Sequence, residues 1–228
     1  PELLWLWFRA SGKAPQMRAG NYSIDRGTTP QQLLERMLRG ESVMEVVRIT
    51  EGWTFKQMRE ALAQAPLLKA TTKDMSEAQI MAALGLPNVA AEGRFFPDTY
   101  HYSRGATDMT VLRAAQQMLQ KKLEAAWAER AKDVPLKSID DALILASIVE
   151  KETGLEADRT KVSSVFNNRL RIGMPLQTDP TVIYGLGASF DGNLRKKDLL
   201  TDTPYNTYTR KGLPPTPIAL PGGNSIKA

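Results

Sequence analysis

The chain has 228 residues, enough for a sizeable core or for two domains. It has no cysteine and a single histidine, His101, which excludes disulfides, thiolate metal sites, cysteine nucleophiles and multi-histidine metal centres. A net charge of +5 without a Lys/Arg run gives no reason to expect nucleic acid as a partner, and is compatible with an anionic polymer or a membrane surface.

The first residue is Pro1 rather than Met, so the natural N-terminus is expected to lie upstream. The apolar run Leu3-Leu-Trp-Leu-Trp-Phe8 is too short to span a bilayer and reads as part of an amphipathic helix over 3–10, followed by a loop from Gly12 to Gly20. Then comes an internal repeat. Ile24, Gly27, Thr29, Gln32 and Glu35 recur 25 residues later as Ile49, Gly52, Thr54, Gln57 and Glu60. Each copy predicts a strand, a glycine turn, a threonine N-cap and an amphipathic helix. Two copies are too few for a solenoid, so a small βα module is expected over 1–62.

Pro66 ends the second helix of the repeat, and Ser76 predicts a cap for a helix over Glu77–Leu84. The segment from Glu92 to Tyr102 alternates aromatic and polar residues and reads as strand or loop. Thr107 opens a long helix reaching about Lys132, with Val111, Leu112, Ala115, Met118, Leu119 and Leu123 as its inner stripe.

The next helix is the most informative. Ser138 is its N-cap, Asp140 and Asp141 suit its first turn, and Gly154 is placed to stop it. Ile139, Leu143, Ala146 and Glu150 fall along one stripe. Glu150 therefore continues an apolar face. A carboxylate there is costly to keep ionised, and a carboxyl that holds its proton is what general-acid catalysis requires. Spacing alone also allows Glu150 to be the buried partner of an arginine such as Arg169. Glu152, two residues on, faces another side and reads as a solvated or arginine-paired surface group.

A further helix runs from about Asp158 to Arg171, ending at Gly173. Beyond it, turn formers mix with polar and aromatic residues. Gln177, Thr178 and Asp179 precede Pro180 in an extended or turn segment and offer an amide, a hydroxyl and a carboxylate to a sugar. Turn chemistry explains them equally well. Tyr205, Asn206, Thr207 and Tyr208 combine stacking faces with hydrogen-bonding groups, although tyrosines are also common at core edges. A short helix is expected near Arg195–Leu199. A proline-rich segment from Gly212 to Gly222 then leads into the start of a helix.

These segments resemble a known family. Ala146-Ser-Ile-Val-Glu-Lys-Glu152, Val165-Phe-Asn-Asn-Arg-Leu170, Leu176 to Gly185, Tyr205-Asn-Thr-Tyr208 and Gly212-Leu-Pro-Pro215 occur in this order in the endolytic murein transglycosylases, the YceG-like proteins. Glu92 to Tyr100 and the Glu51-Gly52 turn are also similar to theirs. The resemblance implies a carbon–oxygen lyase that cleaves the MurNAc–GlcNAc bond of nascent peptidoglycan strands without water, leaving 1,6-anhydro-MurNAc ends, with Glu150 as acid and base. It implies neither cofactor nor metal. It also implies a LysM-like N-terminal region and a single transmembrane anchor upstream of this chain in the bacterial inner membrane, with the catalytic part facing the periplasm. It suggests a peptidoglycan synthase as partner.

The expected fold is therefore α+β. A LysM-like βα module over 1–62, incomplete at its start, precedes a mainly helical catalytic domain over 63–228 with a loop-rich C-terminal part, which lacks the family's usual final strand and helix. The rival readings are a hydrolytic muramidase using Glu150 and Asp179, a non-catalytic peptidoglycan-binding scaffold and, further off, a metal enzyme using Glu150, Glu152 and Asp158.

Overall fold

The N-cap signals are the part of the sequence that maps most directly onto the structure, a computed structural model describing residues 2–228. Helices α1 (Glu2–Ala10) and α2 (Pro30–Arg39) are followed by strand β1 (Met44–Arg48) and by α3 (Phe55–Gln64) and α4 (Glu77–Ala83). Strand β2 (Thr99–Ser103) precedes the long α5 (Asp108–Glu129), and then come α6 (Ile139–Glu152) and α7 (Glu156–Arg171). The C-terminal part holds α8 (Asp179–Leu186), α9 (Lys196–Leu200) and α10 (Gly223–Lys227). Thr29, Thr54 and Ser76 each form a capping box with the glutamine three residues on, which satisfies two otherwise orphaned donors at each helix start.

The repeat survives only in part. Both its helices form, but the expected first strand does not: residues 21–25 are irregular and Ile24 is 67% exposed. A strand needs a partner, and β1 takes its partner from far along the chain. It pairs antiparallel with β2, Met44 opposite Ser103 and Arg48 opposite Thr99. Helix α2 packs instead on α1, through Leu33, Leu34 and Phe8. Trp5 and Trp7 stay exposed beside that cluster.

The main core of the N-terminal half joins Val47, Ile49, Phe55 and Met58 to Ile80, Phe95, Tyr102 and Leu112. It draws on both sides of residue 62, so the boundary expected there falls inside a continuous core. What the structure has is a mixed fold, mainly helical with a two-stranded sheet. Met118, expected in the stripe of α5, is 38% exposed, whereas Leu119 and Leu123 are buried. Gln177 and Thr178 stay outside helical structure as expected, but Asp179 opens α8. Pro180 sits in its first turn, where a missing N–H costs nothing and the fixed φ favours the helix. Gly154 does not form the left-handed stop expected of it; α6 ends when Thr153 turns extended.

The proline-rich segment is the structural surprise. Residues 217–222 form a buried strap that ties the two halves together. Leu220 donates its N–H to the Trp53 carbonyl at 2.7 Å and accepts the Gly52 N–H at 2.9 Å, so it is bonded to the turn before α3. Ile218 donates to Ser147 Oγ at 3.0 Å, which gives the one polar group in the middle of α6 a partner. Leu220 belongs to the N-terminal core and Ile218 to the core of α6, α7 and α8. Gly93, at φ +75°, lies so close beneath the strap that any side chain there would strike Pro217.

Glu92, next to it, is a buried carboxyl that caps α3 from a distance. It accepts the Phe55 N–H at 2.9 Å and the Gly93 N–H at 3.2 Å, and the Tyr184 hydroxyl donates to it at 3.4 Å. Burial pushes its pKa up to about 7, against the pull of those donors. A folded-state value above the unfolded one means that stability is fully present below about pH 4.5 and lost as pH rises through 7. Glu92→Gln keeps an acceptor for the amides and has no charge to bury. The variant is expected to gain on wild type by about 2 kcal/mol between pH 5 and pH 8. Denaturant unfolding at the two pH values measures it; a difference independent of pH would refute this account.

Candidate active site

Glu150 sits where the stripe predicts, one turn beyond buried Ala146 in α6, with its side chain only 5% exposed. It does not face bare hydrocarbon. Arg159 Nη2 donates to its Oε1 at 3.1 Å. The Gly222 N–H and the Ser225 hydroxyl donate to its Oε2 at 2.8 and 2.7 Å. Three donors from three directions fix the carboxyl in one orientation, as a catalytic group requires.

Local geometry explains how those donors arrive. Residues 153–155 turn the chain back, so the first turn of α7 lies beside the last turn of α6, and Arg159 meets Glu150 nine positions after it. The strap and the first turn of α10 bring Gly222 and Ser225 from the far end of the sequence. The turn between β1 and α3 closes the other side. Gly52, at φ +74°, faces this corner: a Cβ there would lie 3.8 Å from Glu150 Cγ and from the Lys151 side chain, and Lys151 donates to the Gly52 carbonyl at 3.3 Å.

That turn also carries Glu51, whose carboxylate lies 4.0 Å from Arg159 Nη2. Glu51 is 48% exposed and lines a cleft of about 260 Å³ with Arg48, Asp98 and Thr99. Burial, and then the charge of Glu150, raise its pKa, and Arg159 opposes them. A larger cavity of about 370 Å³ between α5, α6, α7 and α10 is mostly apolar, and Glu150 does not line it.

The residues expected to bind sugar divide into two groups. Thr178, Asn206 and Thr207 are buried, with their polar atoms engaged inside the protein. Thr178 donates its hydroxyl to Glu152 at 3.0 Å and its N–H to Thr207 Oγ1 at 3.1 Å. Asn206 Nδ2 donates to the carbonyls of Asp198, Leu199 and Thr201, closing the end of α9. These three shape the loops and do not face solvent. Gln177 and Asp179 are exposed, and Tyr208 is half-buried. Tyr208 donates to Asp179 at 2.5 Å, and burial together with that carboxylate pushes its pKa up to about 12. Gln177 takes φ +50°, with its N–H donating to the Thr207 carbonyl at 3.0 Å. Tyr205 is half-buried, packs edge-on against Tyr184 and shares a hydrogen bond with Thr216.

Three further expectations change. Arg169 does not pair with Glu150; it donates to the Leu176 carbonyl, and Arg159 is the real partner. Asp179 lies with Tyr208 and, through Thr178, on the Glu152 side of α6; two positions along a helix put Glu152 on a different face from Glu150. The carboxylate that does approach the Glu150 pair is Glu51. The trio Glu150, Glu152 and Asp158 does not converge either, because each turns to its own partner: Arg159, Thr178 and Lys161.

The pattern of the YceG-like family matches residues 1–228. An endolytic murein transglycosylase of Bacillus subtilis (strain 168) is 32% identical over 240 residues, covering 94% of this chain and 64% of that protein. One of Streptococcus pneumoniae serotype 2 is 26% identical over 245 residues, covering 93% of this chain and 44% of that protein. The chain thus spans less than two thirds of the length of these relatives. A crystal structure of a yceG-like protein from Listeria monocytogenes superposes with a TM-score of 0.64 at 28% identity, covering 99% of this chain and 78% of that one.

Proposed function

The chain belongs to the YceG-like family, and from that premise we propose that it is the catalytic part of an endolytic peptidoglycan lytic transglycosylase with Glu150 as its acid and base. The observation that carries the reading is a single oriented carboxyl, 5% exposed, held by Arg159, Gly222 and Ser225. A lytic transglycosylase asks for one carboxyl in two roles. The protonated carboxyl gives its proton to the glycosidic oxygen between MurNAc and GlcNAc, and the C1–O bond breaks. The resulting carboxylate takes the proton of the C6 hydroxyl as that oxygen closes onto C1. The group returns to its starting state, and no water is consumed.

Retaining and inverting hydrolases normally need a second carboxyl at a set distance across the bond. Asp179, the residue a muramidase reading requires, lies on the Glu152 side and accepts from Tyr208, whereas the partners of Glu150 are Arg159, Gly222 and Ser225. Exposed Gln177 and the Asp179–Tyr208 pair, bonded to each other, are the groups that would meet a glycan. The substrate is the nascent glycan strand, and the place of action is the outer face of the cytoplasmic membrane, with a peptidoglycan synthase as neighbour. Among the described residues no helix is long and apolar enough to cross a membrane.

Mass analysis of products from intact glycan strands tests the reading. Anhydro ends one water lighter than reducing ends are expected. Reducing ends alone mean a muramidase, and binding without any product means a scaffold.

A further inference from the structure

Around the buried Glu150 carboxyl two acidic groups compete for one guanidinium. Arg159, 7% exposed, stands 3.1 Å from Glu150 and 4.0 Å from Glu51, and its Nε is buried without a partner. We propose that Glu51 is a positioning residue for the transglycosylase reaction, drawing on the charge of Arg159 so that Glu150 can hold the proton it must donate. This rests on the reading of Glu150 as the acid.

The chemistry requires such a device. An arginine bonded to Glu150 alone favours the carboxylate and makes a poor acid. The same arginine is valuable one step later, when Glu150 has given up its proton. A second carboxylate beside the guanidinium resolves the conflict. Two carboxylates and one buried cation carry a net negative charge, and the least costly way to relieve it is to bind one proton across the group. Glu51, 48% exposed and facing the cleft, is the more hydrated of the two carboxylates, whereas Glu150 is 5% exposed. Burial first and the charge of Glu150 second raise the Glu51 pKa against the pull of Arg159, so the two carboxylates and the guanidinium act on one another.

The other groups near Glu150 do not take over the role. Lys151 turns its ammonium to the Gly52 carbonyl, and α10 presents the Gly222 amide and the Ser225 hydroxyl, its Lys227 lying on the wall of the cavity that Glu150 does not line. A side chain at Gly222 would collide with the Glu51 carboxylate, so the bare backbone there is what lets Glu51 come in over the site. The repeat carries the same signal: the residue before the turn glycine is Arg26 in the first copy and Glu51 in the second.

The test compares wild type with Glu51→Gln and Glu51→Asp on intact glycan strands. Without the Glu51 charge, Arg159 serves Glu150 alone, and the alkaline limb of the kcat profile should move down by about one pH unit. Activity on the alkaline side of the limb then falls about tenfold and returns at lower pH, with KM unchanged. Glu51→Asp keeps the charge and should keep the wild-type profile. Thermal unfolding of both variants shows whether they fold. Carbon NMR of labelled glutamate, with the Glu150 signal assigned from Glu150→Gln, should show the same downward move in Glu51→Gln. If wild type releases anhydro ends and neither limb nor titration moves, or the loss is equal at all pH values, Glu51 has no such role. A wild type that releases no anhydro ends removes the reading of Glu150, and this proposal with it.

Discussion

Glu150→Gln should fold and lose glycan cleavage by at least about 10³-fold in kcat. A positioned acid or base contributes roughly 10²- to 10⁴-fold, and in the proposed mechanism one group performs both transfers. Glutamine has nearly the same shape. Its carbonyl oxygen can still accept from the Gly222 amide and the Ser225 hydroxyl, and Arg159 keeps Glu51 as a neighbour. The variant therefore removes the transferable proton with little change in packing, and thermal unfolding within a few degrees of wild type verifies this. Product analysis on intact strands gives the rate. Cleavage at the wild-type rate would remove Glu150 from the mechanism.

The starts of helices were legible in the sequence. Ser138, Thr107, Thr54 and Ser76 cap helices where their spacing to the next apolar run said they would, because an N-cap is settled within four residues. The stripe of Ile139, Leu143 and Ala146 placed Glu150 correctly for the same reason. The failures are of another kind. Ile24 had the local pattern of a strand, but strand formation is decided by a partner, and the partner of β1 is β2, more than fifty residues on. The surroundings of Glu150 escaped in the same way. Gly222 and Ser225 reach it from 72 and 75 positions away, along a proline-rich strap that looked like a loop. Its arginine could have been found: a three-residue turn between two helices brings the first turn of the second beside the last turn of the first, which favours Arg159 over Arg169. The ordered family motifs pointed to the same glutamate without any of these contacts, since they record the residues and not how they meet.

Removing Arg159 should damage the fold more than replacing Glu150. Arg159→Met keeps length and apolar bulk but strips the cation from a carboxylate that is 5% exposed. On the alkaline side of the kcat limb, where Glu150 is ionised, breaking a buried pair by deleting one partner costs about 3–5 kcal/mol, because the remaining charge stays out of water with nothing to balance it. Glu51 adds to the cost, since without Arg159 two carboxylates face one another across the site. Glu150→Gln/Arg159→Met has no such orphan. The double variant is therefore expected to recover most of the stability lost in Arg159→Met, so that the two substitutions are far from additive. Denaturant unfolding of the wild type, both single variants and the double variant measures the coupling. A loss under about 1 kcal/mol in Arg159→Met, or strict additivity, would show that the carboxylate is well solvated there. A large coupling would mean that the pair which orients the acid also locks α7 onto α6, so this active site cannot be loosened without loosening the fold.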